Sequence, residues 1–378
     1  METEPASTEP ARRTEPARRT GPRTDRSARR TLRVARAAPV YWALVAVLAG
    51  TLLATGTSLA VGSAQPGTDA SVLGGVPPAV VTAAVGALGL LLAVAGAAML
   101  GATAQPARPG RALRAAVLAA GWTVPAAAVV AFVDAQLLSL AGYLPVLLLL
   151  APFLEGVRDA LGQVLEPATL LQVVVVVGVV LWAHTVLLYQ RATASGGPPG
   201  WARPAAAARW GSTAAYVAAA IPTLYALTRF TWLVYPLGFD RQAWEAGRAD
   251  GSLLPGIWLG VFALLGALLT VGLTRPWGDV FPRWMPVVGG RTVPVGAAVV
   301  PASVVAVLIV PAGVSMTLQL LAAPAGPVTE NWGAIGPTLL WPLWGLALGA
   351  AALGYYLRRR GEESATAGPG SAVKTTYR

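Results

Sequence analysis

An all-α, polytopic transmembrane helix bundle of about eight spans, with disordered termini, is the fold that this sequence predicts. Three observations predict it: eight apolar stretches of membrane length, a charged fraction of 12% against 55% hydrophobic residues, and arginines grouped on alternate sides of the stretches. A soluble domain carries about a quarter charged residues. This chain has too few charges to coat a water-facing surface, so the bilayer must be its solvent over most of its length.

About 20 consecutive apolar residues cross the hydrocarbon core. Such stretches fall at 40–62, 79–102, 114–134, 168–189, 211–234, 255–274, 294–321 and 335–357. Proline occurs inside several of them, at Pro125, Pro222, Pro301, Pro311, Pro337 and Pro342. Membrane helices tolerate it because neighbouring helices satisfy the freed backbone groups. The domain organisation that results is an arginine-rich cytoplasmic tail over 1–39, the bundle over 40–357 and a second tail over 358–378.

The basic residues orient the spans. Of 28 in the chain, 24 lie before the first span, in alternate loops or after the last; the exceptions are Arg158, Arg229, Arg241 and Arg248. Cytoplasmic loops carry the arginine and lysine excess. The expectation is therefore a cell-membrane protein with both termini in the cytoplasm. Residues 135–154 form a further charge-free run, broken by Gly142, Pro145 and Pro152. A ninth crossing there would put the later arginine loops outside, against the charge rule. The run reads instead as an interfacial helix capping the bundle, or as a re-entrant hairpin buried in protein.

Near the N-terminus, Thr8-Glu9-Pro10-Ala11-Arg12-Arg13 recurs as Thr14-Glu15-Pro16-Ala17-Arg18-Arg19. Proline, charge and few large apolar groups make this segment unable to bury a core. Its charge reinforces the orientation of the first span, which leaves no reason to expect nucleic acid as a partner. Arg29-Arg30-Thr31-Leu32-Arg33 loosely follows a twin-arginine signal, yet the run behind it is of full membrane length and reads as an uncleaved anchor.

The inner loop Arg275-Pro276-Trp277-Gly278-Asp279-Val280-Phe281-Pro282-Arg283-Trp284-Met285-Pro286, continuing to Gly289-Gly290-Arg291, is the most distinctive stretch. Its aromatic rings suit the headgroup level, and its prolines restrict the backbone, so this loop is expected to be ordered. Trp277, Asp279, Phe281, Arg283, Trp284 and Arg291 are its candidate docking or gating residues. Residues 277–294 resemble a loop of uncharacterised actinobacterial multi-pass membrane proteins, of the form Trp-Gly-Asp/Glu-x-Phe-Pro-Arg-Trp-x-Pro followed by Gly-Gly-Arg-x-Val-Pro. The resemblance extends over about residues 210–300 and implies a membrane location without an activity.

Ionisable groups at membrane depth are the default functional candidates. Arg229 lies six residues before Tyr235, about 9 Å down the fifth helix. It is placed to snorkel outward or to pair with Asp134 or Asp240. His184 is the sole histidine and there is no cysteine, which excludes thiolate catalysis, disulfides and clustered histidine metal sites. No cofactor is expected. No span carries Asp or Glu near its centre, which argues against a proton- or sodium-coupled transporter. Gln136, Gln172 and Gln319 are able to bridge helices.

Two outer loops share a Glu–Arg spacing of three, Glu155/Arg158 and Glu245/Arg248, as surface helices would. The loops are adjacent, so they do not support a 4+4 repeat. Gly256-x-x-x-Gly260 and Gly345-x-x-x-Gly349 have the spacing of helix-packing motifs. Two function classes remain. One is a permease-like or lipid-handling protein with a pathway at Arg229, Asp134 and the 135–154 run. The other is a non-transporting assembly or regulatory component that docks a membrane partner through the Trp277–Arg291 loop. No nucleophile–base set marks an enzyme.

Overall fold

The computed structural model describes residues 22–59, 72–73, 76–104, 109–138, 140–142, 166–197, 199–322 and 329–366. Its long elements are eight α-helices: α1 (Pro22–Ala54), α2 (Pro78–Ala104), α3 (Arg111–Phe132), α4 (Pro167–Ala192), α5 (Pro204–Thr231), α6 (Leu254–Gly272), α7 (Val295–Ala322) and α8 (Trp341–Thr366). No β-strand occurs among the described residues. Seven of the eight are long and apolar enough to cross a bilayer, which makes the chain a multi-pass membrane protein.

The helix outside that seven is α5, and its composition explains why. It is rich in alanine and carries Arg209 and Arg229, yet Ala207, Ala215, Ala218 and Ala226 are completely buried. It packs between α6 and α8. Small side chains on its buried face allow that close approach, while Tyr216, Val217, Leu224 and Leu227 are exposed on its other face. On α8, Gly354 lies against Gly211 of α5 so closely that a Cβ on either would meet the other's Cα within 3 Å. Across the bundle, a Cβ on Gly345 would meet Val310, Ile309 and the Ala306 carbonyl of α7, whereas Gly349 has room. Gly256 and Gly260 of α6 pack on Trp232 and Arg229. Both glycine pairs therefore lie at helix contacts.

Packing order divides the helices into two sets of four. In the first, α1 packs on α2 and α4, and α4 on α3; in the second, α5 packs on α6 and α8, and α8 on α7. The sets meet where α3 lies beside α7, with Val129 and Val133 against Leu308. In the first set α2 also packs on α4, and Trp42 and Trp182 fill the core.

Antiparallel neighbours set the helix ends level. Thr185 of α4 donates to the Ala35 carbonyl of α1 (2.8 Å), and Arg114 of α3 donates to Thr193 and the Gln190 carbonyl (3.1 and 3.3 Å). Pro204 meets Gly361, and Asp279 meets Arg358. One face of the bundle thus gathers the start of α1, the α2–α3, α4–α5 and α6–α7 connections, and the end of α8. At the opposite face Phe132 shares a cluster with Leu171, and the Asp134 amide donates to Gln172 (3.2 Å). The chain between α3 and α4 leaves and re-enters there, so it makes no net crossing. Residues 135–138 and 140–142 are helical, with Leu137 packed against Leu308. The rest of the 135–154 run and the Glu155/Arg158 pair lie outside the described residues, as do the repeat over 8–19 and residues 367–378.

Several boundaries differ from the sequence reading: α1 ends at Ala54 rather than 62, α5 begins at Pro204 rather than 211, and α8 begins at Trp341 rather than 335, and two further differences have a local cause. Helix α1 begins at Pro22 rather than near residue 40, because residues 23–38 hold no proline or glycine to interrupt it. Helix α8 runs on to Thr366, past the expected end at 357, because the loop between α6 and α7 holds its arginines. Epitope tags inserted at 200 and 285 are expected to report the same side of the membrane and a tag at 245 the other. Co-localisation of 245 with 285 would overturn the eight-crossing arrangement.

Candidate functional site

The three intramembrane candidates occupy separate surroundings. Asp134 follows the end of α3, where its carboxylate accepts from the Gln136 amide (2.9 Å). His184 is half-buried on α4 and bonds the Val180 carbonyl of its own helix (2.8 Å). Arg229 belongs to the other half of the bundle. The expected Arg229–Asp134 pair is therefore not formed. Asp240 is not its partner either, since that carboxylate caps the surface helix Arg241–Asp250 by accepting from Ala243 (2.7 Å).

What holds Arg229 is aromatic. Its guanidinium lies 4.6 Å from the Tyr225 ring centroid and 4.1 Å from that of Trp232, and it donates to the Ala334 carbonyl (2.9 Å). The side chain is buried, and its Nε has no partner among the described residues. A desolvated cation over aromatic faces gains about 2 kcal/mol, which together with a charge-assisted hydrogen bond lets it stay without a carboxylate. Arg229 thereby fastens the short helix Trp332–Ile335 to the end of α5. On the same outer face Trp244 donates to the Trp232 carbonyl (2.8 Å). Glu245 pairs with Arg241 at 3.1 Å, while Arg248 stacks on Trp244 instead of meeting Glu245.

The Trp277–Arg291 loop is ordered and has two sides. Phe281 donates to the Arg291 carbonyl and Gly290 to that of Phe281, both at 2.9 Å, closing a small hairpin with a Val280–Thr292 bridge. The inward side holds Trp277, packed on Gly272, and Asp279. Arg358 grips both Asp279 carboxylate oxygens (2.8 and 2.9 Å) and Arg359 adds a third contact at 2.9 Å. Arg359 also donates to the Val293 carbonyl (3.3 Å), and the Tyr355 hydroxyl to that of Gly278 (2.9 Å). Phe281 is half-buried. The outward side presents Trp284, 81% exposed, and Val287, 86% exposed, between exposed Arg283 and Arg291. Val287 has φ +69°, a left-handed backbone that a β-branched residue adopts only under strain.

Sequence reading missed an apolar cavity among the described residues. A groove of about 560 Å³ lies between α2, α3 and α4 in the first half. Its walls include Leu92, Met99, Val117 and Gly121, with Trp182 and Tyr189 on the α4 side. Exposed Leu91 and Leu113 stand at its lip, so it opens toward lipid. Trp182 is fixed there by a hydrogen bond to the Gly121 carbonyl (2.7 Å). The legible trace of this groove is Trp182 and Tyr189, seven residues apart and hence on one helical face. Wall residues such as Ala95 and Val117 are indistinguishable in sequence from any lipid-facing stretch. Among the described residues no three His, Cys, Asp or Glu side chains gather as metal ligands do.

No protein-family model matches the chain, and no curated protein or solved structure matches it. Fold and composition define the class on their own: this is a multi-pass, all-α integral membrane protein.

The Asp279 carboxyl carries a pH signature. Burial would raise it, but the hydrogen bonds and charges of Arg358 and Arg359 outweigh burial and hold it below the ordinary carboxylate range. A lowered folded-state pKa contributes stability that is complete above the ordinary value of about 3.9 and is lost as pH falls through the depressed one. Thermal melts should show wild type losing stability in that acid window. Asp279→Asn should be less stable at neutral pH by roughly 1–3 kcal/mol, with a shallower loss on acidification. Identical acid limbs for the two proteins would contradict the clamp.

Proposed function

We propose that this protein handles membrane lipid, with the α2–α3–α4 groove as the binding site, in the cell membrane and with both termini cytoplasmic. The observation that carries the reading is the groove itself: apolar, open sideways to the bilayer, and floored by a hydrogen-bonded tryptophan. Pockets for small ligands have volumes of about 300–1,000 Å³, and this one offers almost nothing for a polar solute to bond. A solute permease draws less support, because Arg229, Asp134 and His184 do not converge. The orientation rests on the arginine-bearing face of the bundle, which the positive-inside rule assigns to the cytoplasm.

The test is to fill the groove. Ala95 is half-buried on its wall, and Ala95→Phe should occupy part of it while the helices stay assembled. In nanodiscs, phospholipids with a photoactivatable acyl chain should label α2 and α3 of the wild type, with labelling of these helices reduced at least fivefold in the variant. Equal labelling of the two proteins would refute the reading.

A second reading is docking through the inner loop, which resembles the loop of actinobacterial multi-pass proteins noted above. What favours it is the tip, where Trp284 and strained Val287 project from a segment clamped in place by Asp279. Strain of order 1–3 kcal/mol on an exposed residue gains nothing from packing within this chain. The variant Trp284→Ala with Val287→Gly should melt in detergent no lower than wild type, yet lose crosslinks to a membrane partner in native membranes. Unchanged crosslinks would remove the loop tip as a docking surface.

A further inference from the structure

A lipid chain in the groove meets walls that are almost wholly apolar. Of the lining side chains, Trp182 and Tyr189 alone carry a nitrogen or an oxygen. The Trp182 indole N–H is taken by the Gly121 carbonyl. Tyr189 differs. Its backbone carbonyl accepts from the Thr193 hydroxyl (2.7 Å), but its own hydroxyl makes no hydrogen bond to a described residue, although the residue is only 3% exposed. The fully enclosed side-chain atoms without a partner belong to Thr169, Arg229 and Trp344, so the Tyr189 hydroxyl is unpaired yet open, on a residue that lines the groove. A buried hydroxyl without a partner costs free energy, and one left open in an apolar wall marks where a ligand supplies the missing bond.

The register of α3 and α4 gives the depth of that hydroxyl. Trp182 meets Gly121, and beside Tyr189 the Gln190 carbonyl and Thr193 receive Arg114, one residue past Leu113. Tyr189 therefore stands at the Leu113 end of the groove, on the arginine-bearing face, and Val124 lies toward the other end. From Leu113 to Val124 the α3 wall rises about 16 Å. This matches one leaflet, half of a hydrocarbon core about 30 Å thick. Helical side chains lean toward the N-terminus of their helix, and α4 runs toward the arginine-bearing face. Tyr189 thus leans into the hydrocarbon, the reverse of an interfacial tyrosine that carries its hydroxyl out to the headgroups. Just inside the headgroups a glycerolipid carries its acyl ester carbonyls, which are hydrogen-bond acceptors.

Building on the lipid-handling reading, we infer that the groove recognises an ester-linked glycerolipid of the leaflet on the arginine-bearing face, with the Tyr189 hydroxyl donating to the ester carbonyl of the chain that lies in the groove. The phenol supplies the one directional contact, while Leu92, Met99, Val117 and Trp182 wall the chain beyond it. Recognition at the ester is indifferent to the headgroup. An ether-linked lipid has no carbonyl at that position and leaves the hydroxyl without its acceptor.

Nanodiscs of an ether-linked phosphatidylcholine, doped with phosphatidylcholine probes that carry the same chain diazirine on an ester or an ether linkage, isolate the carbonyl. Wild type should label α2 and α3 about fivefold more with the ester probe, the scale of one hydrogen bond. Tyr189→Phe should bring the two probes within about twofold of each other, and should melt in detergent no lower than wild type, since the hydroxyl bonds nothing within the chain. Tyr216→Phe, on the exposed face of α5 in the other half, should keep the preference. Equal labelling of the wild type by both probes would overturn the ester contact and leave lipid handling standing. So would a preference that survives Tyr189→Phe, one lost equally in Tyr216→Phe, or a lower melting point for the Tyr189 variant. A diazirine fatty acid that labels the groove more than the ester probe would assign the carbonyl to a free carboxyl and overturn the glycerolipid. Absence of groove labelling by every probe would overturn both readings.

Discussion

A guanidinium in hydrocarbon must be hydrogen-bonded, stacked on aromatic rings or carried to the headgroups, and this bundle is organised around that requirement. The first two solutions occur here. Arg358 and Arg359 converge on one carboxylate. Arg229 lies between two rings and a carbonyl. Arg114 crosslinks two helix ends through a hydroxyl and a carbonyl. Charge placement that orients a chain during insertion thus also builds the contacts that hold its helices level afterwards.

The two halves use similar helix order and different materials. In the second, glycine and alanine bring α5, α7 and α8 into backbone contact, leaving little space for a ligand. In the first, Gly89 brings α2 equally close to the α1 backbone at Trp42 and Ala46, but toward α4 large side chains set the spacing: Trp42 lies over Gly178, and Trp182 bonds the Gly121 carbonyl. Bulky residues hold helices further apart than small ones, and the groove lies where α2 and α3 diverge above α4.

Long periodic signals were legible in the sequence, and partner-dependent ones were not. Helices α2, α4, α6 and α7 lie within three residues of the bounds read from hydrophobicity alone, because lipid-facing helices must be apolar whatever they pack against. The ordered loop was legible from its prolines and aromatic residues. Asp279 was legible as a candidate but not its partners, since a contact spanning some eighty positions leaves no local mark. Arg229 was found by its depth, while its neighbours Tyr225 and Ala334 depended on the tertiary fold. The groove was illegible because it is a shape left by apolar residues, and no residue type signals a space.

Helix α5 depends on partners that are made after it. Its alanines and two arginines give it a weak claim on the lipid phase, and its place is secured by α6 and α8. During synthesis it leaves the ribosome before both. A nascent chain that ends after α5 therefore holds a helix that translocation machinery would retain only loosely, and commitment to the membrane must wait for the later partners. Helix α5 is the one long helix whose composition alone does not mark it as a span, so its hold on the membrane depends on partners that are made after it.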